Sequence, residues 1–393
     1  VKGILSYALL ARERGKKLIL PLQNAKEASV VSGLEIVPVS SLIEAVNYLE
    51  NREEVGFERD DLNSLLHRIS KYEVDFSEVR GQERAKRALE VAAAGGHNII
   101  LIGPPGSGKT MLARRLPTIL PELTLEEAIE VSKIYSVAGL LDSRKPLLAT
   151  RPFRSPHHSI SSVGLAGGGQ FPRPGEISLS HRGVLFLDEF PEFPKNALQI
   201  LRQPLEDGVI TISRAKGSIT FPANFTLVAA MNPCPCGYLG DSKRECVCPP
   251  AKVLKYRSKI GGPLMDRIDI QVEVPRLSKE ELTQASPGES SQEIKKRVVK
   301  ARKRQEERFE KTKIGCNAQM GTREIKKFCT LSSSAEKLLE RAIDELSFSA
   351  RAYSKVLKVA RTIADLSNSE VIEVEHLAEA VQYRSLERSF YLC

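Results

Sequence analysis

Eight residues constrain this chain more than any other stretch: Gly103-Pro-Pro-Gly-Ser-Gly-Lys-Thr110. They follow the apolar run Asn98–Ile102 and precede a helical pattern at Met111–Leu116. Strand, glycine-rich turn and helix in that order match the phosphate-binding loop G-x-x-x-x-G-K-[ST]. The glycines allow backbone N–H groups to turn inward around phosphate oxygens, and the helix N-terminus adds positive potential. Gly103, Pro104, Pro105, Gly106, Ser107, Gly108, Lys109 and Thr110 are therefore the predicted nucleotide cradle. Lys109 should reach the β- and γ-phosphates, and the Thr110 hydroxyl should ligate Mg²⁺.

Such a site needs a second element to hold the metal and polarise water. Val184-Leu-Phe-Leu-Asp-Glu189 fits, as four apolar residues of a buried strand ending in two carboxylates. Ligands sit at the C-terminal ends of strands in open α/β sheets. Asp188 is expected to hold Mg²⁺ through water, and Glu189 to orient or deprotonate the attacking water. A hydrophobic-Asp-Glu string is weak on its own but gains force about 80 residues after a phosphate loop. A third apolar run, Phe225–Ala230, ends in Met231-Asn232. An amide at that tip can hold the lytic water or sense the γ-phosphate. Taken alone, an Asn before Pro is a turn residue.

The rest of the chain divides by pattern. Residues 1–55 alternate helix and strand: a helix over Ile4–Arg14, strands over Lys17–Pro21 and Glu35–Val39, and a helix over Ser41–Glu50 capped by Ser40 or Ser41. That is a fragment of an α/β sheet, too small to bury a core alone. Residues 56–76 read as a linker, 77–275 as the α/β core and 276–393 as a helical lid. The net charge of +9 is unevenly placed, at −2 over 1–76, +6 over 77–275 and +5 over 276–393. A basic excess favours a polyanionic partner and says nothing about fold. No apolar run reaches the ~18 residues of a membrane helix, and no export signal opens the chain, so a cytoplasmic location is expected. The first residue is Val1, so the chain reads as processed or as part of something longer.

Further strings resemble those of one family. They are Gly81-Gln82, Pro152-Phe-Arg-Ser-Pro-His-His158, Pro174-Gly-Glu-Ile-Ser-Leu179, Ala229-Ala-Met-Asn-Pro-Cys-Pro-Cys236 and Ser349-Ala-Arg-Ala352. With the two nucleotide motifs they resemble the magnesium-chelatase-like AAA+ ATPases, and among these the group of the competence protein ComM and its YifB relatives. The resemblance implies an α/β fold: a P-loop ATPase core with a parallel sheet, a C-terminal helical lid, and a partial N-terminal Lon-protease-like (S5-like) domain. It implies ATP and Mg²⁺ as ligands and assembly into a hexamer. Gly262-Pro-Leu-Met-Asp-Arg-Ile-Asp269 resembles the segment carrying an arginine finger, so Arg267 would reach the γ-phosphate of a neighbouring subunit. An arginine supplied in this way stabilises the transition state by ~10³–10⁵. A surface arginine paired with Asp266 or Asp269 is the other reading. Arg351 matches the second sensor arginine, with Arg361 as a competing candidate. The Lon-like start has Ser6 near where a catalytic lysine would align, so no protease activity is expected.

Two inserts stand out. Residues 151–182 carry Arg151, Arg154, Arg173, Arg182, His157, His158 and His181 against one acid, Glu176. Residues 208–225 read as a hairpin with Arg214 and Lys216 at its tip. They resemble the helix-2 insert and pre-sensor-1 hairpin that project into a ring's pore. Basic tips there would meet a phosphate backbone irrespective of sequence, and the alternative is a grip on protein. His157-His158 is a possible metal pair, but packing or hydrogen bonding is favoured. Lys295–Arg304, with seven basic residues in ten, reads as a solvated lid helix.

Cys234, Cys236, Cys246 and Cys248 form two close pairs. Four thiolates suit tetrahedral Zn²⁺ in a structural site within 234–248. Free thiols or a redox switch are the alternatives, since the spacing is C-x-C rather than C-x-x-C. The expected function is an ATP-driven ring motor on single-stranded or branched DNA. The ComM-like role implied is helicase or branch migration in recombination and natural transformation, alongside recombination proteins. The rivals are the motor subunit of a magnesium chelatase-like complex and a protein-remodelling unfoldase.

Overall fold

The computed structural model describes residues 1–50, 72–142, 145–169, 172–214, 217–278, 281, 288–312, 314–346 and 348–386. The chain opens with α1 (Ile4–Glu13), β1 (Leu18–Pro21), β2 (Ile36–Val39) and α2 (Leu42–Leu49), and β1 pairs with β2 in parallel. Ser41 caps α2, accepting from the Glu44 N–H. The fragment does not stand alone. Ile4, Leu5, Ala8, Leu20, Val31 and Leu34 share a core with Leu123, Ala128 and Leu147 of the following unit. Gly3 also donates its N–H to the Ser136 carbonyl at 3.1 Å. The two-stranded sheet thus buries its inner face by docking. Along α2, by contrast, Leu42, Ile43 and Leu49 remain exposed.

The expected linker over 56–76 falls mostly outside the described residues. Its last two residues belong to the core. The Asp75 carboxylate accepts from the N–H groups of Ser77 and Ser291, and Phe76 is fully buried.

Next come α3 (Glu83–Gly95), β3 (Ile99–Ile102), α4 (Lys109–Ile119), α5 (Leu125–Ala138), β4 (Phe153–Arg154) and β5 (Val184–Leu187). The hairpin strands β6 (Val209–Arg214) and β7 (Gly217–Pro222) follow, then β8 (Thr226–Met231) and β9 (Ile270–Glu273). Five strands form one parallel sheet in the order β9-β3-β8-β5-β4. Alternate residues feed opposite cores. Ile99, Leu101, Val184, Phe186, Val228, Ala230, Ile270 and Val272 face one side. Ile100, Ile102, Leu185, Leu187, Leu227, Ala229 and Met231 face the other. Both faces are covered, which is why these strands read as unbroken apolar runs. The sheet confirms the expected AAA+ type of α/β fold, with helices α6 (Ser291–Phe309), α7 (Ser333–Leu346), α8 (Ala350–Leu366) and α9 (Val374–Gln382) after it.

The basic stretch of α6 is less solvated than expected. Arg297 pairs with Glu90 and Glu289, Lys295 with Glu122, and Arg302 donates to the Ala93 carbonyl. Those charges fasten α6 to the core. No helix among the described residues is long and apolar enough to cross a membrane.

Candidate nucleotide site

Parallel register determines what meets at each edge of the sheet. Ile102 lies opposite Met231 and Glu273, and Leu187 opposite Ala229. The segments that follow these residues therefore converge at the C-terminal edge: the loop 103–110, Asp188-Glu189 and Asn232. Gly103 fits there because it has no side chain, since a Cβ would lie 2.1 Å from the Val274 carbonyl oxygen. Its N–H donates to the Met231 carbonyl at 3.1 Å.

Lys109 begins α4 and is buried. Its ammonium donates to the Gly103 and Pro104 carbonyls at 2.7 and 2.8 Å and reaches Asn232 Oδ1 at 3.3 Å. Burial lowers its pKa to about 8, against the pull of Asp188. The Thr110 hydroxyl donates to Asp188 Oδ2 at 2.7 Å. Gln82, at a positive φ of 59°, ties the loop from beneath by donating to the Ser107 and Pro275 carbonyls. The cradle, both metal-ligand candidates and the sensor amide thus occupy one continuous site.

Glu189 adopts a left-handed φ of 51°, which turns its carboxylate off the strand line. His158 Nδ1 lies 2.9 Å from Glu189 Oε2, and its ring packs on His157 with centroids 4.1 Å apart. This partner of the candidate base was not foreseen. The two residues are far apart in sequence. The pairing of Phe153 with Val184 and of Arg154 with Leu185 brings their loops together. A signal was available in the string Phe153–His158 followed by a strand that ends in two acids.

The opposite, N-terminal edge carries the arginine candidates. Arg267 precedes β9, and its carbonyl accepts from the Asn98 side chain at 3.0 Å, just before β3. Its guanidinium donates to the Pro263 carbonyl and pairs with Glu206, while its Nε is buried without a hydrogen-bond partner. It lines a cleft of about 1000 Å³ with Arg151, Arg182, Asp266 and Lys355. The partner is Glu206, not the Asp266 or Asp269 considered from sequence. Arg351 starts α8, is largely exposed, and reaches Asp266 at 3.2 Å. Arg361 is 1% exposed and donates to Asp365 and to the Ser369 and Glu370 carbonyls, which gives it a structural place. Arg267 and Arg351 share an edge, and Lys109 lies across the sheet from both.

The basic insert is mostly paired, once within itself and otherwise with acids of α5. Arg154 makes a two-pronged contact with Glu176 at 2.6 and 2.7 Å. Arg182 pairs with Glu127 and Glu130, Arg151 with Glu127, and His181 with Glu130. Arg173 is exposed. The hairpin forms in register from Val209–Pro222 to Arg214–Gly217. Lys216 and the Arg214 side chain lie outside the described residues.

The four cysteines are brought together after β8. Their sulfur atoms all lie within 4.8 Å of one another, with Cys234 buried. Burial opposes ionisation of Cys236, but the Tyr238 N–H and the neighbouring thiols bring it down to about 6. The Cys248 N–H works to lower Cys246, yet burial and the adjacent thiols push it up to about 12. Four soft donors converging at this spacing fit a tetrahedral thiophilic cation, with Zn–S bonds of ~2.3 Å.

Together, the sheet order, phosphate loop, acidic strand end and lid helices define an AAA+-type P-loop protein. The family model for magnesium chelatase, subunit ChlI, matches residues 75–282, and that for the ChlI C-terminal region matches residues 288–384. The chain is 44% identical over 390 residues to uncharacterized protein YifB of Escherichia coli K12, covering 99% of this chain and 75% of that one. It is 44% identical over 392 residues to competence protein ComM of Haemophilus influenzae, with the same coverage. A magnesium-chelatase 67 kDa subunit of Chlorobaculum parvum is 28% identical over 166 residues, covering 41% of this chain and 23% of that one. The chain belongs to the magnesium-chelatase-like AAA+ ATPase family, in the group of ComM and YifB.

Proposed function

We propose that this protein is an ATP-hydrolysing ring motor that acts on DNA in the manner implied by its ComM-like sequence. One observation carries the ATPase part: a phosphate cradle with its acidic and amide partners at one sheet edge, and Arg267 with Arg351 at the other. A site divided in this way is completed by a second copy of the chain, and closed rings such as hexamers satisfy that head-to-tail requirement.

Lys109 holds the β- and γ-phosphates by charge. Thr110 and Asp188, already in contact, are the residues that would hold Mg²⁺, which when bound neutralises charge on the phosphates. Glu189 orients and deprotonates the attacking water. Asn232, next to Lys109, fixes the γ-phosphate end of the site. Arg267 and Arg351 of the neighbouring copy balance the charge that develops as the phosphoryl group leaves. The four cysteines hold a structural Zn²⁺, leaving no open position for catalysis.

DNA is favoured as the client over a protein or a porphyrin complex. Similarity to ComM runs through essentially the whole chain at 44% identity, whereas the chelatase subunit matches over 166 residues at 28%. The basic tip of the hairpin, Arg214 and Lys216, is the proposed contact with single-stranded or branched DNA, made in the cytoplasm alongside recombination proteins. The test is the ATPase rate with and without single-stranded and forked DNA, together with branch migration on the fork. Stimulation by DNA is expected. No DNA binding at low salt, or stimulation by unfolded protein instead, would sink the DNA reading and leave the ATPase reading intact.

A further inference from the structure

The cysteine loop lies directly against the phosphate loop. Gly237, at φ +88°, follows the pair Cys234-Pro-Cys236, and its N–H donates to the Cys234 carbonyl at 3.0 Å. A Cβ there would sit 2.7 and 2.9 Å from Pro105 Cδ and Cγ, so the backbone of the cysteine turn rests on the crown of the cradle. Two further ties flank this contact. Asn232, two residues before Cys234, touches the Lys109 ammonium. Asp241, in the middle of the loop, is paired at 3.3 Å with Arg276. Arg276 adjoins Pro275, whose carbonyl accepts from Gln82, and the same Gln82 amide donates to the Ser107 carbonyl. The cysteine loop therefore touches the cradle at its crown and its lysine, and a pair of bonds links it to Ser107.

A loop of this kind has little secondary structure of its own to keep it in place. Between Cys234 and Cys248 the described chain consists of turns and bends. Four sulfurs within 4.8 Å are its internal anchor. A cation held by thiolates fixes such a loop, and without one the like-charged or protonated sulfurs separate. Pro105 and Gly106 are the exposed part of the cradle.

We propose that the four-cysteine loop is a metal-dependent clasp on the phosphate loop, in which a bound Zn²⁺ raises the affinity for nucleotide while taking no part in hydrolysis. The inference rests on the zinc and ATP readings above and adds the coupling between them. Gly237, Asn232 and the Asp241–Arg276 pair are its positioning residues.

The experiment uses the full chain purified without chelator. Zinc is measured by elemental analysis and affinity by titration with a fluorescent ADP analogue in Mg²⁺ buffer. The wild type should hold about one zinc per chain. Cys246→Ser/Cys248→Ser should lose it and bind the analogue about tenfold more weakly, the step a modest loss of preorganisation produces. Gly237→Ala keeps all four thiols, but it crowds Pro105 and strains the turn at φ +88°. It should retain zinc and still bind several-fold more weakly, with the same weakening from Asp241→Asn. Zinc-free double variant or zinc-loaded Gly237→Ala with wild-type affinity would overturn the coupling. Wild type without zinc would overturn the metal reading, and wild type with zinc but no affinity for the analogue would overturn the nucleotide reading.

Discussion

The two edges of the central sheet are built from the same strands and could hardly differ more. At the C-terminal edge, Lys109 reaches Asn232 at 3.3 Å and Thr110 donates to Asp188 at 2.7 Å. At the N-terminal edge, the Arg267 guanidinium faces a cleft, leaning on Glu206, and Arg351 stands in solvent with one long contact to Asp266. The first edge is a finished cradle. The second is a pair of cations, each with a single carboxylate partner: exposed Glu206 for Arg267 and half-buried Asp266 for Arg351. On the proposed reading, that asymmetry gives one chain two halves of different sites rather than one complete site.

Breaking the comparison at its weaker edge should have the largest effect. On the proposed reading, Arg267→Ala lowers turnover by ~10³ or more while leaving nucleotide binding near wild type. Mixing it with Lys109→Ala chains should recover activity, because each variant supplies the half the other lacks. If steady-state assays of the mixture stay at background, the two edges do not meet between copies. Next comes Glu189→Gln, expected to bind ATP and hydrolyse it ~10²–10⁴ more slowly, as expected for a lost general base. Unchanged single-turnover rates would remove Glu189 from that role. His158→Ala is smaller. The His158–Glu189 pair is partly exposed and worth up to ~1 kcal/mol, so freeing the carboxylate should raise basal turnover by up to ~5-fold. A fall in turnover would mean that His158 positions the base instead of restraining it.

The smallest effect concerns pH. Lys109 sits at about 8 when only the protein surrounds it, and phosphate favours its charged form. Nucleotide binding should therefore take up a proton, and it should weaken about fourfold between pH 7 and pH 8.5 as that lysine loses its charge. Calorimetry in buffers of differing ionisation heat reads the proton directly. No uptake at pH 8 would place the lysine above that range.

The C-terminal edge was legible in the sequence because its chemistry is local. Glycines, a lysine and two carboxylates sit at the tips of short apolar runs, and each run announces a strand. The other edge was legible only through resemblance, since Arg267 and Arg351 carry no local pattern that separates them from surface charges. What the sequence hid is long-range. Ile270–Glu273 is an edge strand of four residues whose Gln271 and Glu273 break the apolar signal. Arg151 and Arg182 have their acids, Glu127 and Glu130, on α5 outside the insert. His158 met Glu189 through strand pairing alone. Arg351 is exposed and Arg361 is buried, a difference that no spacing in that helix reveals.

Asn98 joins the two edges. Its amide nitrogen holds the Arg267 carbonyl and its amide oxygen accepts from the Leu227 N–H, one residue before β3 begins. The strand then runs four residues, about 13 Å, straight into Gly103. Mechanically this is a short stiff strut with the glycine-rich loop at one end and the Arg267 segment at the other. A load applied at either end is passed on with little slack. Copies set head to tail would then work as links of a closed chain, in which what one link feels on its outer face is set by what its neighbour holds inside.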